Sequence, residues 1–256
     1  MNFLCKSARL IFGASLVLAS FSTSVVADEA TMNKIKQAMD ADIRTEAERD
    51  RDRNRKPVET LEFFGLKDDM KVVELFPGGG WYTKLLAPTL AENGKFYVAF
   101  GATRVAGSLA DKPGFENMKV LGEKAELGRA EGSRFYHARN TDMDVKNADI
   151  VFTFRNYHNF DEESRAAINA SVFKALKRGG IYAVVDHTRR HMQELDNENI
   201  RRFDPVLAIK EIQAAGFEFV DYSDLHYRAD DELRFEVGRR SVTGNTDRWT
   251  LKFRKP

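Results

Sequence analysis

The chain reads as an α/β domain built on a seven-stranded, mostly parallel sheet, doubly wound with helices on both faces and finished by an antiparallel last strand. Strand-like apolar runs alternate with helical patterns from residue 71 to residue 187, as expected of strands covered on both sides. A glycine-rich turn, "PGGG" at 77–80, follows the first of these runs. After Gly216 no helical pattern precedes the end of the chain, so the last two strands are expected to pair antiparallel.

The strand candidates are "KVVELF" (71–76), "KFYVAF" (95–100), "SRFYHA" (133–138), "DIVFTFR" (149–155), "GIYAVVDH" (180–187), "FEFVDYS" (217–223) and "RWTLKFR" (248–254). Helices between them carry their own start and stop signals. Asp161 is placed to cap the helix of "DEESRAAINASVFKALKRGG", with Gly179 as its stop. Asp204 and Pro205 hold cap and first-turn positions of "DPVLAIKEIQAAG", closed by Gly216, and "VETLEFFGL" gives a short helix closed by Gly65.

Ahead of this domain the chain divides at residues 27 and 56. Residues 1–27 carry Lys6 and Arg9, an apolar stretch from Leu10 to Phe21, and small residues before Asp28. This is the pattern of a secretory signal, with cleavage expected after Ala27 and a periplasmic or secreted destination. The apolar stretch falls short of the roughly 20 residues needed to span a bilayer. Residues 28–56 form a charged helical segment in which Met32, Ile35, Met39 and Ile43 recur at helical spacing, and which ends in "ERDRDRNRKP". Its arginines are expected on a solvated face balanced by neighbouring acids, with a lid over a site as the second reading. The remaining domain covers 57–256.

Charge and cysteine content narrow the partners. Without residues 1–27, which hold Lys6 and Arg9, the 40 basic residues become 38 against 39 acidic ones, so no basic excess favours nucleic acid. The single cysteine, Cys5, lies in the segment expected to be removed, which leaves no thiol for a disulfide, a metal or a lipid anchor. A small molecule is the expected partner.

The turn after the first strand is the strongest functional signal. In a parallel sheet ligands lie beyond the carboxyl ends of the strands, and glycines let the main chain approach them. Gly78, Gly79 and Gly80 supply that main chain, while Glu74 at the strand's end needs a donor or cation to satisfy it. A dinucleotide reading also fits part of the turn, since Gly78, Gly80 and Thr83 occupy the positions of G-x-G-x-x-G. The second strand, however, ends in Phe100 and Gly101 and lacks the acid that reading requires.

The stretches "VVELFPGGGWYTKLLAP", "ADIVFTFRNYHNF", "GGIYAVVDH" and "DRWTLKF" resemble the exported branch of the class I S-adenosylmethionine-dependent methyltransferases over about residues 55–256. The resemblance implies a Rossmann-like fold, S-adenosylmethionine as cofactor, and methyl transfer to a small acceptor. It places the cofactor against Glu74, Phe76 (at the family's first glycine position), Gly78, Gly79, Gly80, Trp81 and Tyr82, and against Asp142, Arg155 and Asn156 farther along. A turn or capping role for Asp142 and a core role for Trp81 and Tyr82 stand beside those assignments.

Two strand exits carry histidines. "RNYHNF" holds His158, and "VVDH" holds Asp186 and His187. An imidazole oriented by a carboxylate can take the proton of a hydroxyl acceptor, so His158, His187 and Asp186 are the catalytic candidates. No H-E-x-x-H or comparable spacing supports a metal, which would have to gather His158, Asp186 and His187 with His191 or His226 for a hydrolase. The remaining rival is a module that binds a nucleoside-like ligand without turning it over.

Overall fold

The structure, a computed structural model, describes residues 29–256, so the expected signal segment 1–27 lies outside the described residues. Among the described residues no helix is long and apolar enough to cross a membrane.

The charged N-terminal segment is three helices. They are α1 (Glu29–Asp40), α2 (Glu46–Arg49) and α3 (Asp52–Arg55), followed by α4 (Pro57–Phe64). The break has a local cause: Thr45 accepts from the Glu48 backbone N–H while Glu48 reaches back to the Thr45 N–H, a capping box that starts a new helix. Helix α1 buries Met32, Ile35 and Ala38 and packs on α4 and on the helix after the glycine turn. The arginines differ from expectation. Arg44 and Arg55 are buried rather than solvated, Arg44 in a two-pronged pair with Asp52 at 2.9 and 2.5 Å and Arg55 against aromatic rings described below.

The domain continues as β1 (Lys71–Leu75), α5 (Thr83–Leu90), β2 (Lys95–Ala99), α6 (Thr103–Leu109), β3 (Lys119–Leu121), β4 (Glu126–Gly128), β5 (His137–Arg139), β6 (Ala148–Phe154), α7 (Glu162–Ala175), β7 (Leu176–His187), α8 (Pro205–Ala214), β8 (Glu218–Ser223) and β9 (Arg248–Arg254). The main sheet has seven strands in the order β3-β2-β1-β6-β7-β9-β8. Neighbours from β3 to β7 are parallel, and β9 runs antiparallel to both β7 and β8. Successive residues of β1 feed opposite layers: Val72 joins the core under α1, α5 and α6, and Val73 joins the core under α7 and α8. This is the doubly wound arrangement expected from the sequence.

One strand is not where the sequence suggested. "SRFYHA" does not enter the main sheet; its end, β5, pairs with β4 in a separate two-stranded ribbon, and the edge place beside β2 goes to β3. Strand β3 is three residues long and only partly buried, too short to leave a periodic trace. The apolar Tyr136 that made the other segment look like a strand is 40% exposed and bonds instead to the turn after β6. Helix α7 is capped by Asp161 as expected but ends at Ala175, and Gly179 lies within β7. Helix α8 takes its cap from Asp204 and Pro205.

The chain moves outward from β1 to β3 and then returns to β6 on the other side of β1. Strand order reverses there, which is where such sheets bind ligands. Residues just beyond β1, β2 and β6 adopt the left-handed conformation without being glycine: Phe76 (φ 50°), Phe100 (φ 62°) and Arg155 (φ 60°). Strain of this kind is held in place only where surrounding contacts fix it. Asn156 is one such contact, donating from Nδ2 to the Phe76 and Phe154 carbonyls at 3.1 and 2.9 Å and so tying the β1 and β6 exits together.

Candidate active site

Two adjoining hollows lie over the carboxyl ends of β1, β6 and β7. The smaller, about 220 Å³, is bounded by Glu74, Phe76, Gly78, Gly79, Trp81 and Tyr82 on the glycine-turn side, and by Arg155 and Asn156 from the β6 exit. The larger, about 440 Å³, is bounded by His158, His187, Arg155 and Arg248. Arg51, Arg55 and Arg155 line both.

The glycines divide by role. A Cβ at Gly78 or Gly79 would meet nothing within 4 Å, so the main chain there is bare toward the hollow. Gly80 is different: it has φ +81°, and a Cβ would sit 2.6 Å from Val105 Cγ2 of α6. Its smallness serves helix packing, which corrects the expectation that its space is reserved for a ligand.

Glu74 is buried, and Thr83 Oγ1 donates to its Oε2 at 2.6 Å. Burial raises its pKa to about 7, against the pull of that hydrogen bond and of Arg55. Trp81 and Tyr82 are both core and wall. Tyr82 stacks on Phe154 with centroids 3.5 Å apart, Trp81 Nε1 donates to the Glu48 carbonyl at 2.9 Å, and the hollow is not filled by either ring. Arg55 lies over the Trp81 ring at 4.3 Å, a cation–π contact that closes the N-terminal segment over the site.

That segment is anchored by His226. Its Nε2 lies 3.0 Å from the Arg55 carbonyl and its Nδ1 2.7 Å from Thr250 Oγ1. The carbonyl can only accept, so Nε2 carries the proton and Nδ1 accepts from the threonine. Burial brings His226 down to about 4, so it stays neutral. Arg248 adds a second tie through Nη1 to the Asn54 carbonyl at 2.9 Å.

The catalytic candidates converge. His158 Nδ1 is 2.6 Å from Asp186 Oδ1, and the His158 and His187 backbone N–H groups donate to the same carboxylate at 2.9 and 2.7 Å. The carboxylate oxygen accepts from Nδ1–H, so in the neutral imidazole the free lone pair lies on Nε2. His187 differs. Burial, then the charge of Arg248, which faces it across the β7–β9 register, hold its pKa well below the ordinary value, and Nδ1 is 2.9 Å from Thr246 Oγ1. It therefore remains neutral and serves as a wall.

Not every expected residue reaches the site. Asp142 is half-exposed, pairs with Lys174, accepts from the Asp144 N–H at 2.9 Å, and lines neither hollow. The geometry gives it the turn role. Beyond β2, where a ribose-binding acid would stand, Phe100 packs on Phe76 with centroids 5.4 Å apart. Among the described residues no group of three or more His, Cys, Asp or Glu could hold a metal ion; His191 is bound to Asp204 at 2.8 Å and His226 is committed as above.

Sequence reasoning missed Arg51, Arg55, Arg201 and Arg248. Arg51 and Arg55 are four apart, on one side of a helical turn, and Arg248 opens the last strand opposite His187. Those spacings were the available signal.

No family model and no curated protein sequence matches the chain. Solved structures do. A SAM-dependent methyltransferase from Aquifex aeolicus superposes with a TM-score of 0.56 at 16% identity, over 88% of this chain and 98% of that one. The fold is similar to that of S-adenosylmethionine-dependent methyltransferases. The arsenic(III) S-adenosylmethionine methyltransferase CrArsM of Chlamydomonas reinhardtii gives 0.51 at 15% identity, over 87% of this chain and 73% of that one. The [4+2]-cyclase SpnF gives 0.53 at 14%, over 79% and 81%. At these identities the likeness is one of fold, and the cyclase shows that this fold carries more than one chemistry.

Proposed function

We propose that the protein is an S-adenosylmethionine-dependent methyltransferase that acts on a small hydroxyl-bearing acceptor. One observation carries the reading: a hollow floored by the bare main chain of Gly78 and Gly79 opens beside a second hollow walled by His158, whose ring is held from behind by Asp186. The first suits the cofactor. Glu74 is available to its amino group, and Arg51, Arg55 and Arg155 to its carboxylate.

When bound, S-adenosylmethionine would supply the methyl group, its S–CH3 bond breaking as a C–O bond to the acceptor forms and the sulfonium becoming a neutral thioether. His158 Nε2 takes the hydroxyl proton, and Asp186 holds the opposite ring nitrogen and stabilises the imidazolium that results. The rings of Trp81, Tyr82 and Phe154 and the Arg55 side chain wall the smaller hollow, so a bound cofactor would exchange water for aromatic faces there, and alignment and desolvation supply much of the rate.

The test is transfer of a labelled methyl group from S-adenosylmethionine across a panel of hydroxyl acceptors, with His158→Gln as the comparison. Turnover in the wild type and its loss in the variant support the reading. Cofactor binding without turnover on any acceptor gives the binding-module reading instead, which the lack of an acid beyond β2 favours.

The pattern of residues 1–27 supports an exported protein, cleaved after Ala27 and released to the periplasm or the exterior without a lasting membrane anchor. This belongs to the same exported branch that the motif strings resemble. N-terminal sequencing of the protein recovered from a cell envelope fraction tests it: a chain beginning at Asp28 is expected, and one that retains residues 1–27 contradicts it.

A further inference from the structure

We infer that the acceptor carries an oxyanion, a carboxylate or a phosphate, seated against Arg155 and Arg248 in the larger hollow. The identity of that ligand as the acceptor rests on the methyltransferase reading; the oxyanion seat itself does not.

The larger hollow is lined by Arg51, Arg55, Arg155, Arg201 and Arg248 and by no carboxylate. Of these, Arg201 is answered by Glu236 and Arg55 by aromatic faces. Arg155 and Arg248 form no ion pair among the described residues: Arg248 has a carbonyl, that of Asn54, on Nη1, and the carboxylates of Asp186 and Asp247 act on the two only from farther off. Each has a buried Nε with no hydrogen-bond partner among the described residues, and Arg248 is only 7% exposed. A buried guanidinium without a counter-charge is costly, and proteins hold such groups together where a ligand completes them.

The electrostatics agree with the geometry. Burial, then Arg155, brings Arg248 down to about 10. Burial, then Arg155, brings Arg55 down to about 9. These arginines repel one another, and an oxyanion is the ligand that relieves the repulsion. Guanidinium groups match carboxylate and phosphate oxygens in pairs, which a chloride ion cannot reproduce.

The seat also suits the proposed reaction. It adjoins His158, so an anion fixed by Arg155 and Arg248 holds the rest of its molecule near the free Nε2.

Isothermal titration calorimetry of the chain from Asp28 onward, with inorganic phosphate in one arm and benzoate in the other, tests the seat at fixed ionic strength. Saturable binding is expected in at least one arm; phosphate alone points to a phosphate ester, benzoate alone to a carboxylate, and both to the shared chemistry. Arg155→Gln should weaken binding about tenfold or more, the scale of one charge-assisted pair, while Lys174→Gln on the far surface should not. Because Arg155 makes no side-chain bond that the fold depends on, Arg155→Gln should remain folded, and thermal unfolding of the wild type with phosphate against chloride gives a reading that needs no variant. Absence of saturable binding in both arms, or binding unaffected by Arg155→Gln and by Arg248→Gln alike, overturns the proposal. A third arm with S-adenosylmethionine separates the two claims: cofactor bound without an oxyanion leaves the methyltransferase reading and removes the seat, and the converse leaves the seat alone.

Discussion

His158 and Asp186 are joined twice, through the imidazole Nδ1 at 2.6 Å from Oδ1 and through the His158 backbone N–H at 2.9 Å from Oδ2. Two bonds to one carboxylate fix both the tautomer and the direction of the ring. The consequence is a base at Nε2 on a residue that lines the larger hollow.

That tautomer can be observed without any acceptor. Nitrogen NMR of the imidazoles should show the neutral form of His158 protonated on Nδ1 and bare on Nε2. Asp186→Asn should disturb this preference and reduce methyl transfer by about 10²-fold or more, the range of a positioned general base. An unchanged tautomer and rate in the variant would show that Asp186 does not orient the ring.

The glycines of the turn should separate in their effects. Gly80→Val forces a Cβ into Val105 at φ +81°, so it should lower stability by about 2–4 kcal/mol, with overpacking and left-handed strain adding. Gly79→Phe places its side chain in open space, so its melting temperature should stay within a few degrees of the wild type. Chemical denaturation of the two variants makes the comparison.

Stability against pH should carry two opposed contributions. Glu74 has a folded pKa of about 7 against an ordinary 4.5, so the folded state holds a proton that the unfolded state has lost, and its contribution declines as pH rises between those values. His226 has a folded pKa of about 4 against 6.5, so the unfolded state binds the extra proton and stability is lost as pH falls from 6.5 toward 4. His187 acts in the same direction as His226. Urea denaturation from pH 4.5 to 7 should therefore show a steeper acid-side loss in Glu74→Gln and a shallower one in His226→Gln. Parallel curves for all three proteins would refute these assignments.

The long loop between β8 and β9 is pinned by Arg202 and Asp231, a fully buried pair with bonds of 2.8 and 3.0 Å. Asp231 also accepts from the Asp247 N–H at 2.7 Å, next to the wall formed by Thr246 and Arg248. Asp231→Ala strands a buried guanidinium and should cost about 3–5 kcal/mol, read as a lower denaturation midpoint.

What the sequence made legible follows the length of each signal. Strands β1, β2, β6 and β7 are apolar runs of five or more residues and could be read directly, as could the caps at Asp161 and Asp204. Strand β3 was not, because three half-covered residues leave no pattern, and Tyr136 supplied a false one. In the site, Gly78, Glu74, His158 and Asp186 were visible because strand exits concentrate ligand contacts. The arginines were not, since Arg55 and Arg248 are 193 positions apart and charge runs are ordinarily solvated. Only the tertiary contacts with Trp81 and His187 turn them inward.

The central claim is that the bare turn at Gly78 and Gly79 receives S-adenosylmethionine. Calorimetric titration of the wild type and of Gly79→Phe tests it most directly. One saturable site in the wild type, absent from a variant that keeps its fold, is the predicted result; no heat of binding in the wild type at millimolar cofactor, or equal binding by both proteins, would contradict it.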